Sequence, residues 1–200
     1  MKKIAIFDLD GTIIRENTFL LLIKFVLKEF PKRLKIWSAI MVIAYSVLRK
    51  FGFISRNIYK THIYKLTKDV AESSEFIAIC MSKMNKEIVN ELDKLKPTHT
   101  IVLASAALPY ARLMKNSLNA DYVFTSYLND NSWFENCSEN KKNTLIASFN
   151  ENDLFDVFYT DHAEDLPLAR HCNQVVLVNP TNHSLNEFEK SGIAYKLILN

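Results

Sequence analysis

Asp8-Leu9-Asp10-Gly11-Thr12 places two carboxylates at i and i+2 directly after a β-branched and aromatic run, Lys3 to Phe7. Carboxylates so close repel one another unless a cation or different protonation states separate them. At the carboxyl end of a strand in an α/β sheet, such a pair lies where ligands usually bind. Gly11 allows close backbone approach, and Thr12 can hydrogen-bond a neighbouring carboxylate. A second acidic cluster, Thr160-Asp161-His162-Ala163-Glu164-Asp165, follows another strand-like run, Leu154 to Tyr159. Asp161 and Asp165 are four residues apart and can face one site if a helix begins between them. Capping of that helix by Asp161 or Glu164 is the plainer use of the same residues.

Two further candidates lie between the clusters. Ser105 follows Thr100–Leu103 in A-S-A-A-L-P, where its hydroxyl and adjacent amides, including that of Ala106, could hold a phosphate oxygen before Pro109 opens a helix. Lys141 and Lys142 precede a helical run; a bare pair of this kind usually forms a solvated face.

These residues need elements to hold them. Lys3–Phe7 has the character of a buried strand. From about Thr18 to Leu95 the chain reads as helix almost throughout, with Pro31 as a break, Gly52 and Ser55 as a turn, and Phe76, Ile77, Cys80, Met84, Ile88 and Leu92 as one amphipathic stripe. After Pro97 short strands (100–103, 122–125, 154–159, 175–178 and 195–199) alternate with helical patterns over 109–118, 141–149 and 166–171. This alternation implies an α/β fold with a parallel sheet covered on both faces. The simplest assembly joins residues 1–15 and 97–200 into one α/β core, with the all-helical 16–96 segment inserted as a lid. Carboxylates at the carboxyl ends of strands then lie where ligands bind in such sheets.

The order Asp-x-Asp-Gly-Thr, then Ser, then Lys, then Asp-x-x-x-Asp resembles the haloacid dehalogenase superfamily. It is most similar to the branch containing phosphoserine phosphatase, which has a helical cap inserted just after the first motif. The segments I-V-L-A-S-A-A-L-P-Y-A, F-Y-T-D-H-A-E-D-L-P-L-A and V-V-L-V-N-P carry the resemblance through the core. It implies a Rossmann-like parallel-sheet core with an all-helical cap domain, and a Mg²⁺-dependent phosphatase acting on a small phosphorylated substrate. Asp8 would be the nucleophile. Asp10 would protonate the leaving oxygen and then activate water, oriented by Thr12. Ser105 and one lysine, Lys141 or Lys142, would bind the phosphoryl group. Asp161, with Asp8 and the Asp10 main-chain carbonyl, would coordinate Mg²⁺, supported by Asp165 directly or through water. Asn17 stands where this branch often has an acid that reads a substrate amine, and Thr160 stands where a glycine often precedes the metal-binding aspartate.

Composition bounds the alternatives. A net charge of +3 without a long basic run does not suit a nucleic-acid partner. The three cysteines form no C-x-x-C pair, as expected of free thiols in a reducing cytoplasm. Asp8 and Asp10 interrupt the N-terminal apolar run too early for a signal peptide. The apolar stretch Ile36–Leu48 would rise only about 20 Å as a helix, short of a membrane span. Trp37, Met41 and Phe51 are expected to form the core of the cap. The alternative is a cap that rests on a membrane surface and serves a lipid phosphate. A phosphotransferase would share the aspartyl-phosphate, whereas a non-catalytic binding module would not need every one of these residue types.

Overall fold

The computed structural model describes residues 1–29, 35–130 and 132–199. Strand β1 (Lys3–Phe7) is followed by five helices: α1 (Thr18–Glu29), α2 (Ile36–Lys50), α3 (Arg56–Ala71), α4 (Ser74–Ser82) and α5 (Lys86–Leu95). The chain then runs through β2 (Thr100–Ala104), β3 (Tyr122–Phe124), a β4–β5 hairpin (Tyr127–Asn129 and Ser132–Phe134), α6 (Ser138–Ser148), β6 (Leu154–Thr160), α7 (Leu166–Ala169), β7 (Gln174–Val178), α8 (Asn182–Ser191) and β8 (Lys196–Ile198). Six strands form one sheet in the order β3-β2-β1-β6-β7-β8, with every pairing parallel.

Alternation along β1 divides the interior. Ile4 and Ile6 point to the face covered by Leu145, Leu168 and Phe188, from α6, α7 and α8. Ala5 and Phe7 point to the opposite face, in one apolar cluster with Leu22, Ile63, Phe76 and Leu92 of the helical segment. The helices between β1 and β2 thus share a core with the sheet. Phe7 also stacks on Tyr159 of β6, with ring centroids 4.5 Å apart.

Three sequence expectations are corrected. The stripe from Phe76 to Leu92 is two helices: Lys83 to Asn85 leave the helix to pair with the loop after the first acidic motif, Arg15 N donating to Lys83 O (3.0 Å) and Asn85 N to Ile13 O (2.8 Å). Local periodicity could not register this tertiary pairing. The helical pattern expected over 109–118 shortens to a 3-10 turn, Pro109–Met114. The apolar residues expected to form a cap core are instead exposed: Trp37 is 80% exposed and Phe51 68%. The β4–β5 hairpin and α8 had no counterpart in the sequence reading. The hairpin turns at Asp130 (φ 43°), and α8 has its own signals in the Thr181 N-cap and the left-handed Gly192. Pro31, expected to break the first helix, lies outside the described residues.

Candidate active site

The sheet order brings the separate signals together. Strand β1 lies between β2 and β6, and Phe7 is in register with both Leu103 and Tyr159. The chain therefore leaves three adjacent parallel strands at the same end, at Asp8, Ser105 and Asp161. A cavity of about 400 Å³ opens there, and its walls include Asp8, Asp10, Ser105, Lys141, Asp161 and Asp165.

Each side chain is held by short-range structure. Asp8 N donates to Tyr159 O (2.9 Å), and the loop beyond it closes through Gly11 N to Ile14 O (2.7 Å) and Ile14 N to Leu9 O (2.8 Å). Gly11 has φ +78°, in the left-handed region that glycine tolerates, and a Cβ there would lie 2.2 Å from Asp161 Oδ2. Only glycine lets the second acidic cluster approach the first this closely. Asp10 Oδ1 accepts the Thr18 N–H (3.0 Å), the first residue of α1, and the Thr18 hydroxyl accepts from Tyr110 (2.7 Å). Asn17 lines the cavity, and its Oδ1 also accepts from Leu20 N (3.0 Å) at the start of α1.

Thr12 does not play its expected part. Its hydroxyl is buried without a hydrogen-bond partner, and the Thr18 amide holds Asp10 instead. Ser105 is buried at the end of β2 and accepts from Ala107 N (3.1 Å), so it shapes the turn at Ala106 while lining the cavity. The Ala106 carbonyl accepts from Lys60 of α3 (3.2 Å) and from Ser126 (3.0 Å).

The two lysines separate cleanly. Lys141 Nζ is buried 2.9 Å from Asp8 Oδ1 and 2.6 Å from Asp165 Oδ1. Lys142 turns away to pair with Glu139 on its own helix and does not line the cavity. Helical phase separates the two candidates: adjacent residues on a helix point about 100° apart, so only one can face the site. The other oxygen of Asp165 accepts from the Thr160 hydroxyl (2.6 Å). Thr160 thus anchors the second cluster, and Asp165 is already engaged at both oxygens.

Charge is crowded. Burial is the first cause of the upward shift in Asp8, Asp10 and Asp161, opposed in Asp8 by Lys141 and reinforced by its acidic neighbours. Asp161 is pushed up to about 7, next by Asp165 and then by Asp10. Lys141 is shifted upward against its own burial, chiefly by Asp165 and then Asp8, and so stays charged. Asp8, Asp10, Asp161 and Asp165 all line the cavity, a set of oxygen donors that suits a hard cation. Among the described residues, no three His, Cys, Asp or Glu side chains group closely enough to hold a metal ion by themselves. Asp8 and Asp161 both line the cavity and offer two carboxylates there. An ion that keeps several waters, as Mg²⁺ does, fits that set.

Sequence reasoning missed three basic residues at or beside the cavity. Arg56, at the start of α3, lines the cavity and pairs through Nε with Glu135 (2.8 Å) and through Nη1 with Glu164 (3.2 Å). Lys60, one turn on, also pairs with Glu135. Both lay inside a long helical stretch where a basic residue carries no local signal. Arg15 lines the cavity as well.

The model of the family described as haloacid dehalogenase-like hydrolase matches residues 5–170. No curated protein matches the sequence. A protein of unknown function from Bordetella pertussis Tohama I shares the fold at a TM-score of 0.79 and 14% identity, with 99% of this chain and 98% of that one covered. A phosphoserine phosphohydrolase-like protein from Francisella tularensis gives 0.62 at 16% identity, covering 99% and 95%. A phosphoserine phosphatase captured as a phospho-aspartyl intermediate analogue gives 0.52 at 17% identity, covering 93% and 90%.

Proposed function

This chain belongs to the haloacid dehalogenase-like hydrolase family, and we propose that it is a magnesium-dependent phosphatase hydrolysing a small phosphate monoester through an aspartyl-phosphate on Asp8. The observation that carries this reading is the convergence of Asp8, Ser105 and Asp161 at the ends of three neighbouring parallel strands, with Lys141 buried against Asp8. Phosphoryl transfer depends mainly on positioning and on neutralising the equatorial oxygens, and these residues supply both.

In the first step an Asp8 oxygen forms a bond to phosphorus while the bond to the ester oxygen breaks. Asp10, whose pKa burial raises, delivers a proton to that leaving oxygen. In the second step Asp10 takes a proton from water as the water oxygen attacks phosphorus. The bond from phosphorus to Asp8 breaks, which restores the carboxylate and releases phosphate. Lys141 and Ser105 hold the transferring group. Asp8, Asp161 and the Asp10 carbonyl would hold Mg²⁺, which when bound offsets the negative charge of nucleophile and phosphate. The α1–α5 segment, through Asn17 and Arg56, would act as a cap that shapes the far side of the cavity. Three free cysteines suit a reducing, cytoplasmic setting.

A phosphate-release screen across soluble metabolite phosphates, with Mg²⁺ and with chelator, tests the reading on the wild type and on Asp8→Asn. Metal-dependent turnover abolished by the substitution is expected. Turnover retained by Asp8→Asn rejects the nucleophile. The exposed apolar face of α2 favours, as a second reading, a substrate whose phosphate is carried on a lipid.

A further inference from the structure

Helix α2 is apolar on the side that meets the core and also on the side that meets solvent, which a helix of a soluble cap does not need. Its inward side carries both of its serines as well as Ala39 and Val42; Ser46 donates to Val42 O (2.7 Å) and is hydrogen-bonded with Tyr59 of α3 (2.9 Å). Its outward side is apolar: Ile36, Trp37, Ile40, Ile43, Val47 and Leu48 are all exposed. The turn that follows adds Phe51 and Phe53, the latter 75% exposed. A contiguous surface of this kind has no reason to face water and marks an interaction site.

Its charges select the occupant. Ile36–Lys50 contains no Asp or Glu, while Lys35 precedes the apolar face and Arg49 and Lys50 close it; Lys32 and Arg33 stand just before it in sequence. Apolar residues bracketed by basic ones, with an exposed tryptophan, match the boundary between anionic headgroups and acyl chains. None of the described helices is long and apolar enough to cross a bilayer, so α2 would lie along the surface. A second copy of the chain fits less well, since two such faces meeting antiparallel would set basic end against basic end.

We propose that the outward face of α2, continued by Phe51 and Phe53, docks this protein on an anionic membrane surface. The site lies close to that surface. Arg56, which lines the cavity, is three residues beyond Phe53, and so within about 11 Å along even an extended chain. Docking would hold the cavity near headgroup level, within reach of phosphate groups there. The inference rests on α2 and does not depend on the chemistry assigned to Asp8.

The test is co-sedimentation of the full chain with vesicles of pure phosphatidylcholine and with vesicles containing about a third phosphatidylglycerol. Trp37 is 80% exposed and Trp133 only 7%, so an emission blue shift on adding vesicles reports Trp37. Binding to the anionic vesicles, weakened by salt and accompanied by the blue shift, is expected. The triple variant Trp37→Gln, Ile40→Gln, Ile43→Gln should bind at least about tenfold more weakly, because it removes buried apolar area. It should keep the wild-type unfolding temperature, since the altered side chains are exposed. Asp8→Asn should bind vesicles as the wild type does. Three results would overturn the proposal: no association with anionic vesicles at low salt, undiminished binding by the triple variant, or a wild-type dimer in analytical ultracentrifugation that the triple variant dissolves.

Discussion

Lys141 Nζ lies 2.9 Å from Asp8 Oδ1, both side chains nearly closed to solvent, although 133 residues separate them in sequence. The ammonium also reaches Asp165 at 2.6 Å, so one cation ties the α6 start to both acidic clusters. Replacing it leaves two buried carboxylates without their shared partner, a loss worth about 3 kcal/mol or more where the charges stay buried. Lys141→Met should lower kcat for phosphate release by at least about a hundredfold, the scale seen when one preorganised charge is removed from a reacting group. Lys142→Met, whose partner is the surface Glu139, should stay within about twofold of wild type. Steady-state phosphate release by the two variants decides between them.

Gly11→Ala tests the approach of the two loops. The new methyl would meet Asp161 Oδ2 at 2.2 Å in a backbone held at φ +78°. The left-handed conformation alone costs an alanine about 1 kcal/mol, and Asp161 must also move. Thermal unfolding should fall by a few degrees, and Mg²⁺-dependent activity should fall by more than about tenfold. An alanine variant with wild-type kinetics would show that Asp161 need not stand against Gly11.

Asp161 gives stability a definite pH dependence. Its carboxyl is raised from 3.8 to about 7 by burial and by neighbouring carboxylates. Between these values the folded chain binds more protons at this group than the unfolded chain does. The contribution is therefore complete below about pH 4 and is lost as pH rises through about 7, by at most about 1.4 kcal/mol per unit. Asp8 and Asp10 shift in the same direction. In chelator, the unfolding temperature should fall between pH 5 and pH 8, by about 2–4 °C for each kcal/mol lost. Asp161→Asn should flatten the slope. Mg²⁺ should stabilise the protein more at pH 8 than at pH 5, because it binds the ionised form.

Two threonines should behave in opposite ways. The Thr12 hydroxyl is buried without a partner, so Thr12→Val removes an unsatisfied group. It should leave stability unchanged or raise it by up to about 1 kcal/mol, with turnover within about threefold. The Thr160 hydroxyl donates to Asp165 at 2.6 Å, so Thr160→Val leaves a buried carboxylate oxygen without its donor. A loss of about 2 kcal/mol is expected, with reduced turnover because Asp165 positions Lys141. Calorimetry and kinetics on both variants check the contrast. A large loss of activity in Thr12→Val would restore the role that its sequence position suggests.

Amino-acid order alone made the chemistry legible. Asp8, Asp10 and Gly11 form a local pattern, and the strand before them is a run of apolar residues whose period needs no tertiary context. The same holds for Ser105 and for Asp161, each placed at a strand end by the residues just ahead of it. The alternation of strands and helices after Pro97 was enough to imply a parallel sheet, because parallel strands need a crossover between them. Through these features the sequence determined the class of fold and most of the acidic site.

The tertiary structure decided what depends on phase and on distant neighbours. Choosing Lys141 over Lys142 required the rotation of α6 relative to Asp8, which is fixed by burying Leu145 against the sheet. Splitting α4 from α5 required Arg15 and Asn85 to find backbone partners far along the chain. Arg56 reached the cavity, and Lys60 the Ala106 carbonyl at its wall, only because α3 packs where it does. The outward turn of α2 reversed the expectation that apolar residues are core. Hydrophobic periodicity marks the apolar side of a helix, but which side meets the protein is set by the helices beside it.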